Sequence, residues 1–426
     1  MRSPLKKHVV RRLESLIAER LGDEPAIALQ GPRAVGKSTL LRQVAGAARQ
    51  AVIDLDDPAT RDAVRADPSL FARAPAPVCI DEFQHAPEIL DAIKAELNQR
   101  LEPGRFVLTG STRYAGIPRA AQSLTGRLHL LTVWPLSQGE LAGVDEDFMA
   151  VLLEEPARLL ASQGPAASRE EYLERALAGG FPLALRRATP TARARWFDDY
   201  VRLVIERDVL EVSRIRQREW LPRLLLRLAS QTGQLLNIAT AAQAIGMERS
   251  TAENYTQLLE AVFLVHRLPA WGRTLRARAV AAPKIHLVDS GLAARLLGLT
   301  EAKLARLEPA SIAQFGHLLE TFAINEALKQ LGWLEDAPSA MGHWRTFDGD
   351  EVDLVVERAD GTTVGLEVKA AGRVVPEDAR GLRKLRDALG KSFLAGVVLY
   401  TGKPAFSLED RIFVLPVDRL WRRHRR

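Results

Sequence analysis

The sequence predicts an α/β protein with a parallel sheet near its N-terminus, a helical middle and a second, smaller α/β unit towards its C-terminus. Three observations predict it. Short apolar runs bounded by turn residues recur through the first 140 residues, with helical periodicity between them. Gly31-Pro32-Arg33-Ala34-Val35-Gly36-Lys37-Ser38 stands between a strand-like run and a helix-like run and fits G-x-x-x-x-G-K-[ST] without a mismatch. From residue 308 the pattern reads helix, three strands, helix, strand.

The first strand is Ala26-Ile27-Ala28-Leu29-Gln30, and Thr39-Leu40-Leu41-Arg42-Gln43-Val44 belongs to the helix after the glycine-rich turn. Glycines let the backbone curl until its N–H groups point inward at a polyphosphate, and the helix N-terminus adds partial positive charge. Lys37 places a cation on the β/γ oxygens and Ser38 offers a hydroxyl to Mg²⁺. The expected ATP site therefore runs from Gly31 to Thr39, with ATP and Mg²⁺ as its ligands.

Ala51 to Leu55 is a second short strand, and Pro77-Val78-Cys79-Ile80-Asp81-Glu82 is an apolar strand ending in two acids. Asp81 is expected to hold Mg²⁺ and Glu82 to orient and deprotonate the attacking water. The competing reading is a strand followed by a solvated acidic turn. Phe106-Val107-Leu108-Thr109-Gly110-Ser111 is a further apolar strand ending in hydroxyls. Arg127, after Gly126, is either a surface arginine or a finger that neutralises charge on a transferred phosphoryl group. A finger acting between subunits implies a homo-oligomer.

At 426 residues the chain is long enough for two to four domains, and a hydrophobic fraction of 47% suits folded cores. The net charge of +6 permits an acidic partner such as DNA or RNA. The lone cysteine, Cys79, rules out a disulfide framework within the chain and fits a reducing compartment. Residues 1–21 are basic and amphipathic without the apolar core of a signal peptide, and no run approaches the roughly 20 apolar residues of a membrane span. A cytoplasmic protein without membrane contact is expected.

The run from Gly31 to Glu140, with Val133-Trp134-Pro135-Leu136-Ser137-Gln138-Gly139-Glu140-Leu141 at its end, resembles a group of prokaryotic AAA-type ATPases whose C-terminal domain has no assigned function. The likeness continues in Gly179-Gly180-Phe181-Pro182, in Tyr200 to Glu206-Arg207-Asp208-Val209, and in Pro283-Lys284-Ile285-His286-Leu287-Val288-Asp289-Ser290-Gly291-Leu292. It implies a P-loop ATPase sheet of the additional-strand type. In such ATPases a polar residue at the end of the inserted strand touches the γ-phosphate or the lytic water, which makes Thr109 and Ser111 the candidates, Ser111 slightly favoured.

Residues 141–230 follow the 1–140 ATPase domain as a helical lid or connector, with loop-rich Pro156 and Gly164-Pro165 at its start and breaks expected at Gly179-Gly180 and Pro222. Glu206-Arg207-Asp208 reads as a partly buried salt-bridge network, or as a contact that senses nucleotide or a neighbour. In residues 231–305, a helix from Ile238 to Ile245, a turn at Gly246-Met247, a helix from Glu248 to Phe263 and a strand from Leu264 to Leu268 follow the order of a winged helix. Early residues of its second helix, Arg249, Ser250, Thr251, Glu253 and Asn254, would enter a DNA groove, but only one is a cation. The cluster Arg273, Arg276, Arg278 and Lys284 is the better expected phosphate contact. The rival is a packing or oligomerisation module.

In residues 308–405, Asp353 followed by Glu367-x-Lys369 resembles the PD-(D/E)xK nuclease core. Period two puts Glu367 and Lys369 on one strand face, Asp353 can face them from the neighbouring strand, and Glu320 can add a carboxylate from the preceding helix. Oxygen ligands of this kind suit a second Mg²⁺ or Mn²⁺, with Lys369 positioning a water against a phosphodiester. A structural ion pair between Glu367 and Lys369 is the plainer reading. Residues 406–426 are expected as a basic, solvated tail.

Overall fold

The computed structural model describes residues 5, 8–113, 124–161, 166–209, 219–272, 282–306 and 308–424. Among these residues the strands gather into three sheets. The first holds β1 (Ala26–Gln30), β2 (Val52–Asp54), β3 (Val78–Asp81), β4 (Phe106–Gly110) and β5 (Leu128–Thr132), in the order β2-β3-β4-β1-β5. All its pairings are parallel. β3 and β4 are buried along their whole length and β1 along all but its last residue, which is why they read as continuous apolar runs. β4 is inserted between the strand that feeds the glycine-rich turn and the strand that carries the acids. Cys79 lies fully buried in β3. β5 has only one buried residue, Leu131, and its weak pattern gave no strand signal. Because the strands are parallel, their C-terminal ends share one edge, where ligands of such sheets sit.

The middle of the chain is helical as expected. Arg169–Ala178, Pro182–Leu185, Pro190–Leu203 and Trp220–Ala229 are helices, and a wide π-type turn, Val204–Asp208, extends the third of them. The chain breaks at Gly179-Gly180 as expected. Pro222 breaks nothing: it lies in the first turn of Trp220–Ala229, where a missing N–H costs no helical bond. β6 (Gln234–Leu235), helices Ile238–Ile245 and Arg249–Ala261, β7 (Val265–Leu268) and β8 (Lys284–Leu287) follow, with an antiparallel sheet in the order β6-β8-β7. Gly246 ends the first of these helices in the left-handed conformation. Arg273, Arg276 and Arg278 lie outside the described residues, as do Gly164-Pro165 and Arg425-Arg426.

The third sheet contains β9 (Ala340–Arg345), β10 (Glu351–Glu357), β11 (Thr363–Lys369), β12 (Phe393–Tyr400), β13 (Phe406–Glu409) and β14 (Ile412–Pro416), ordered β13-β14-β12-β11-β10-β9. It is mixed, with β11, β12 and β14 parallel and the remaining pairs antiparallel. The helix Pro309–Leu331 packs on the face that holds Leu354, Val356 and Leu366, and Arg380–Leu389 packs on the opposite face with Val355 and Val398. The expected tail at 406–426 is corrected here. Residues 406–416 supply two strands, and the turn Val417–Trp421 buries Leu420 and Trp421 completely or nearly so. The arginines around them masked an apolar run, Ile412-Phe413-Val414-Leu415, that belongs to the core.

The middle unit is fastened to this sheet. Trp271 N–H donates to the His343 carbonyl at 2.6 Å and His343 N–H to the Pro269 carbonyl at 2.9 Å. A Cβ on Gly342 would come within 2.3 Å of the Pro269 oxygen, so the approach requires glycine. No helix among the described residues is long and apolar enough to cross a membrane.

Candidate nucleotide site and C-terminal acidic cluster

The glycine-rich turn leaves β1 at the C-terminal edge of the first sheet and enters the helix Lys37–Ala47. Gly31 and Gly36 have positive φ, and a Cβ on Gly31 would lie 2.3 Å from the Val133 oxygen. Lys37 is buried and folds back on the turn, its Nζ donating to the carbonyls of Gly31 at 2.9 Å and Pro32 at 2.8 Å. Burial pulls its pKa down to about 8, partly opposed by Glu82. The cation that a polyphosphate would attract is thus held on weak acceptors.

Asp81 ends β3 and Glu82 follows it with φ of 51°, an uncommon conformation for a glutamate that turns its side chain towards the same edge. The Asp81 carboxylate accepts from the Thr109 hydroxyl and lies against that of Ser38. Thr109 Oγ1 also accepts from the Glu82 N–H at 3.2 Å. Burial pushes Asp81 up from its ordinary pKa. Burial pushes Glu82 the same way, but Lys37 and Arg33 outweigh it and hold Glu82 below its ordinary value. Gln84 donates to Glu82 and, at 3.1 Å, to Ser111 Oγ. Thr109 therefore serves Asp81, while Ser111 reaches Glu82 through Gln84. Gln84 had no signal in the sequence beyond its place two residues after the acids.

A cavity of 450 Å³ opens over the turn. Arg33 to Thr39 and Glu82 form its polar side, and Leu5, Val9, Leu136, Pro182 and Leu183 form an apolar wall suited to a flat base. Pro182 and Leu183 come from the middle unit, and Leu5 N–H donates to the Leu185 carbonyl at 3.0 Å. Arg11, buried, braces the turn: it donates to the carbonyls of Val35 and Trp134, each at 2.7 Å, and pairs with Glu140 at 3.0 Å. Arg33 leaves the turn in the other direction, its Nε lying 2.6 and 2.7 Å from the two oxygens of Asp208 and its Nη1 3.9 Å from Glu82. Asp208 is buried, whereas Glu206 and Arg207 are exposed, so within the charged triplet Asp208 contacts the phosphate turn while Arg207 lies 3.6 Å from Asp56 at the surface.

Arg127 is not among the residues lining this cavity. It precedes β5, whose first residue, Leu128, is in register with Ala26 at the start of β1. It therefore sits at the edge of the sheet opposite the phosphate turn, and within one chain it is not brought to the site.

The segments Trp134–Glu140, Gly179–Pro182 and Asp289–Gly291 meet behind the cavity. Gly180 N–H donates to Asp289 at 2.7 Å, and Leu136 N–H to the Gly180 carbonyl at 2.9 Å. A Cβ on Gly180 would lie 2.2 Å from the Leu136 oxygen, and one on Gly291 2.6 Å from the Ala178 oxygen. From the helix Pro309–Leu331, Glu326 accepts the Gln138 N–H at 2.7 Å and Lys329 donates to the Leu136 carbonyl at 3.1 Å.

The C-terminal cluster brings Glu320, Asp353 and Glu367 into one buried region, with half-buried Lys369 at its margin. Lys369 pairs with Glu367 at 2.7 Å, and Asp353 accepts the Val368 N–H at 2.9 Å. A register shift in β10 between Val352 and Val355 re-aims the strand at Asp353. A residue not expected there completes it. Lys284 of β8 is 1% exposed and lies 2.6 Å from Asp353 and 2.7 Å from Glu320. The expectation that Lys284 joins a surface phosphate contact is thus corrected: the strand alternation that points Ile285 and Leu287 into the middle unit's core turns Lys284 towards the neighbouring unit. Burial alone would lower its pKa, but Asp353, Glu320 and Glu351 reverse this and keep it charged. Burial and the Asp353 charge raise both Glu320 and Glu367 well above the ordinary carboxylate range. Among the described residues no three or more His, Cys, Asp or Glu side chains are grouped as they would be around a metal ion. The second Mg²⁺ or Mn²⁺ expected here does not fit the cluster as it stands, because an ammonium group occupies the space between the carboxylates of Asp353 and Glu320.

A family model described as an AAA domain matches residues 23–142. The match supports an AAA-type ATPase domain in the N-terminal unit. Two further models, each described as a domain of unknown function (DUF8612 and DUF4143), match residues 169–303 and 315–420. An uncharacterized protein of Mycobacterium tuberculosis is 28% identical over 398 residues, which is 93% of this chain and 81% of that protein. One from Haemophilus influenzae is 23% identical over 292 residues, covering 66% of this chain and 62% of its own. Among solved structures, the Walker-type ATPase of Pyrococcus abyssi is 15% identical and covers 70% of this chain and 99% of its own, with a TM-score of 0.39. The RuvB Holliday junction branch migration motor of Thermotoga maritima is 13% identical, covers 72% and 97%, and has a TM-score of 0.27.

Proposed function

We propose that this protein is a Mg²⁺-dependent ATP hydrolase whose turnover is tied to nucleic acid through its middle and C-terminal units. The observation that carries the hydrolase reading is the convergence of Lys37, Ser38 and Glu82 on one cavity, with Asp81 held against the hydroxyls of Ser38 and Thr109. The two glycines at positive φ and the helix N-terminus leave a cradle that fits a triphosphate. Lys37 would exchange the carbonyls of Gly31 and Pro32 for phosphate oxygens. Ser38 and Asp81 would hold Mg²⁺, which when bound neutralises phosphate charge. Glu82, kept ionised by Lys37 and Arg33, would take a proton from the attacking water, with Gln84 and Ser111 fixing its orientation. Arg127 could act only on a neighbouring subunit's nucleotide, so a finger role for it requires a homo-oligomer.

The nucleic-acid part rests on the net charge of +6, on the winged-helix order of β6 to β8 with their helices, and on the nuclease-like set Glu320, Asp353, Glu367 and Lys369. A second reading, a nucleotide-switched ATPase that does not cleave and is regulatory or protein-directed, is favoured by Lys284 in that set. The test is ATP turnover with and without DNA or RNA, in the wild type and in Lys37→Ala. Stimulation lost in Lys37→Ala supports the proposal. Turnover indifferent to nucleic acid selects the second reading, and turnover that survives Lys37→Ala removes the nucleotide site itself.

A further inference from the structure

The C-terminal cluster has the carboxylates of a cation site and a lysine where the cation would be. Lys284 does not belong to the unit that supplies Glu320, Asp353 and Glu367. It comes from β8, whose neighbours in its own sheet are β6 and β7. Its Nζ bridges Asp353 and Glu320 at hydrogen-bond distance, and Glu351 stands 3.9 Å away. A divalent cation bound by the same two carboxylates would sit about 2.0–2.6 Å from their oxygens, in volume the ammonium now fills. The two cations also repel each other in a region shielded from water.

The insertion is braced on both sides. Two residues along β8, His286 meets Thr321 at 3.1 Å, and Thr321 in turn meets Thr232 at 2.8 Å. The segment 269–271 pairs with β9 through His343, whose Nε2 also contacts the Ala282 carbonyl at 2.9 Å. Lys284 is thus a fixed part of the contact between units rather than a loose surface pair. One carboxylate oxygen, Oε2 of the nearly buried Glu367, is left without a hydrogen-bond partner.

We infer that Lys284 is the resident cation of the C-terminal cluster and excludes divalent metal from it for as long as β8 is docked. The inference rests on the nuclease-like reading of Glu320, Asp353 and Glu367. It makes the cluster a site that one unit of the chain closes against another. Opening it means withdrawing β8, whose continuation through Asp289 is bonded to Gly180 behind the nucleotide cavity.

The test is Mn²⁺ binding by the nucleotide-free full-length chain, read by electron paramagnetic resonance of free Mn²⁺, in the wild type, Lys284→Met, and each combined with Asp353→Asn. Circular dichroism and gel filtration establish that each variant is folded. The expected result is no Mn²⁺ sensitive to Asp353→Asn in the wild type, and a gain of about one Mn²⁺ per chain in Lys284→Met that Asp353→Asn removes. Wild-type protein that binds Mn²⁺ at a site lost in Asp353→Asn overturns the inference while leaving the nuclease-like reading intact. A folded Lys284→Met that gains no Mn²⁺ overturns the inference together with that reading. Should Lys284→Met not fold, Lys284→Gln, which keeps a hydrogen-bond donor without the charge, takes its place under the same criteria.

Discussion

The phosphate turn and the C-terminal cluster each bury a lysine beside carboxylates, and they use it in opposite ways. Lys37 rests on two backbone carbonyls, its pKa is pulled down to about 8, and a 450 Å³ cavity lies over it. Lys284 rests on two carboxylates, which hold it charged. A lysine on carbonyls is under-compensated and awaits an anion. A lysine on carboxylates is already matched, and the site around it is closed. Residue type alone does not separate the two cases; the partner atoms do.

The largest effect that would break this comparison is on chemistry at the open site. Glu82→Gln should lower ATP turnover about 10²–10⁴-fold while ATP still binds, measured by steady-state hydrolysis and by fluorescent-nucleotide titration. An unchanged rate would remove Glu82 as the base. Next comes stability at the closed site. Lys284→Met leaves Asp353 and Glu320 facing each other and should cost about 3–5 kcal/mol in denaturant unfolding, whereas Lys37→Met should stay within about 1 kcal/mol. Equal losses would erase the distinction between the two lysines.

A smaller effect concerns pH. On the proposed function ATP would bind the protonated lysine, and burial pulls Lys37 down to about 8. Affinity should therefore be flat below that pH and fall about tenfold per unit above it, with proton uptake visible by calorimetry in buffers of different ionisation enthalpy. Lys37→Arg should flatten the profile. Asp208→Asn should lower kcat about tenfold with little change in KM, because Arg33 then turns from Asp208 towards Glu82 and lowers its basicity. The smallest effect concerns Glu146, a buried carboxylate that accepts from the Ser137 hydroxyl in the segment behind the cavity. Burial raises Glu146 to about 7 from an ordinary 4.5, so its ionisation destabilises the fold as pH rises between those values. Glu146→Gln should add about 1–2 kcal/mol at pH 8 and nothing at pH 4.

The open site was legible because its information is local. Nine consecutive residues set the turn, and two acids at the end of an apolar strand complete it. The closed site was legible only in part. Glu367 and Lys369 follow from period two, but Lys284 reaches the cluster from 36 residues before Glu320 and 69 before Asp353, through docking that no local pattern encodes. The same holds for Asp208, 175 residues from Arg33, and for Arg11, 129 from Glu140. β5 was missed because an edge strand with one buried residue does not alternate, and β14 because flanking arginines hid it. The glycines of Gly179-Gly180 and Gly291 were visible as a pattern, but their cause, backbone contacts between units, exists only in the folded chain.

Cys79 is the only thiol in the chain, fully buried in β3, with burial raising its pKa to about 11. At neutral pH it is both shielded and protonated, which makes it a poor nucleophile towards maleimide dyes. The native protein is therefore a dark background for labelling. A pair of cysteines introduced at exposed Leu130 and Phe406, on the first and third sheets, would carry a donor and an acceptor with no native residue to silence first. The separation of the ATPase unit from the C-terminal sheet can then be followed by energy transfer through a turnover cycle.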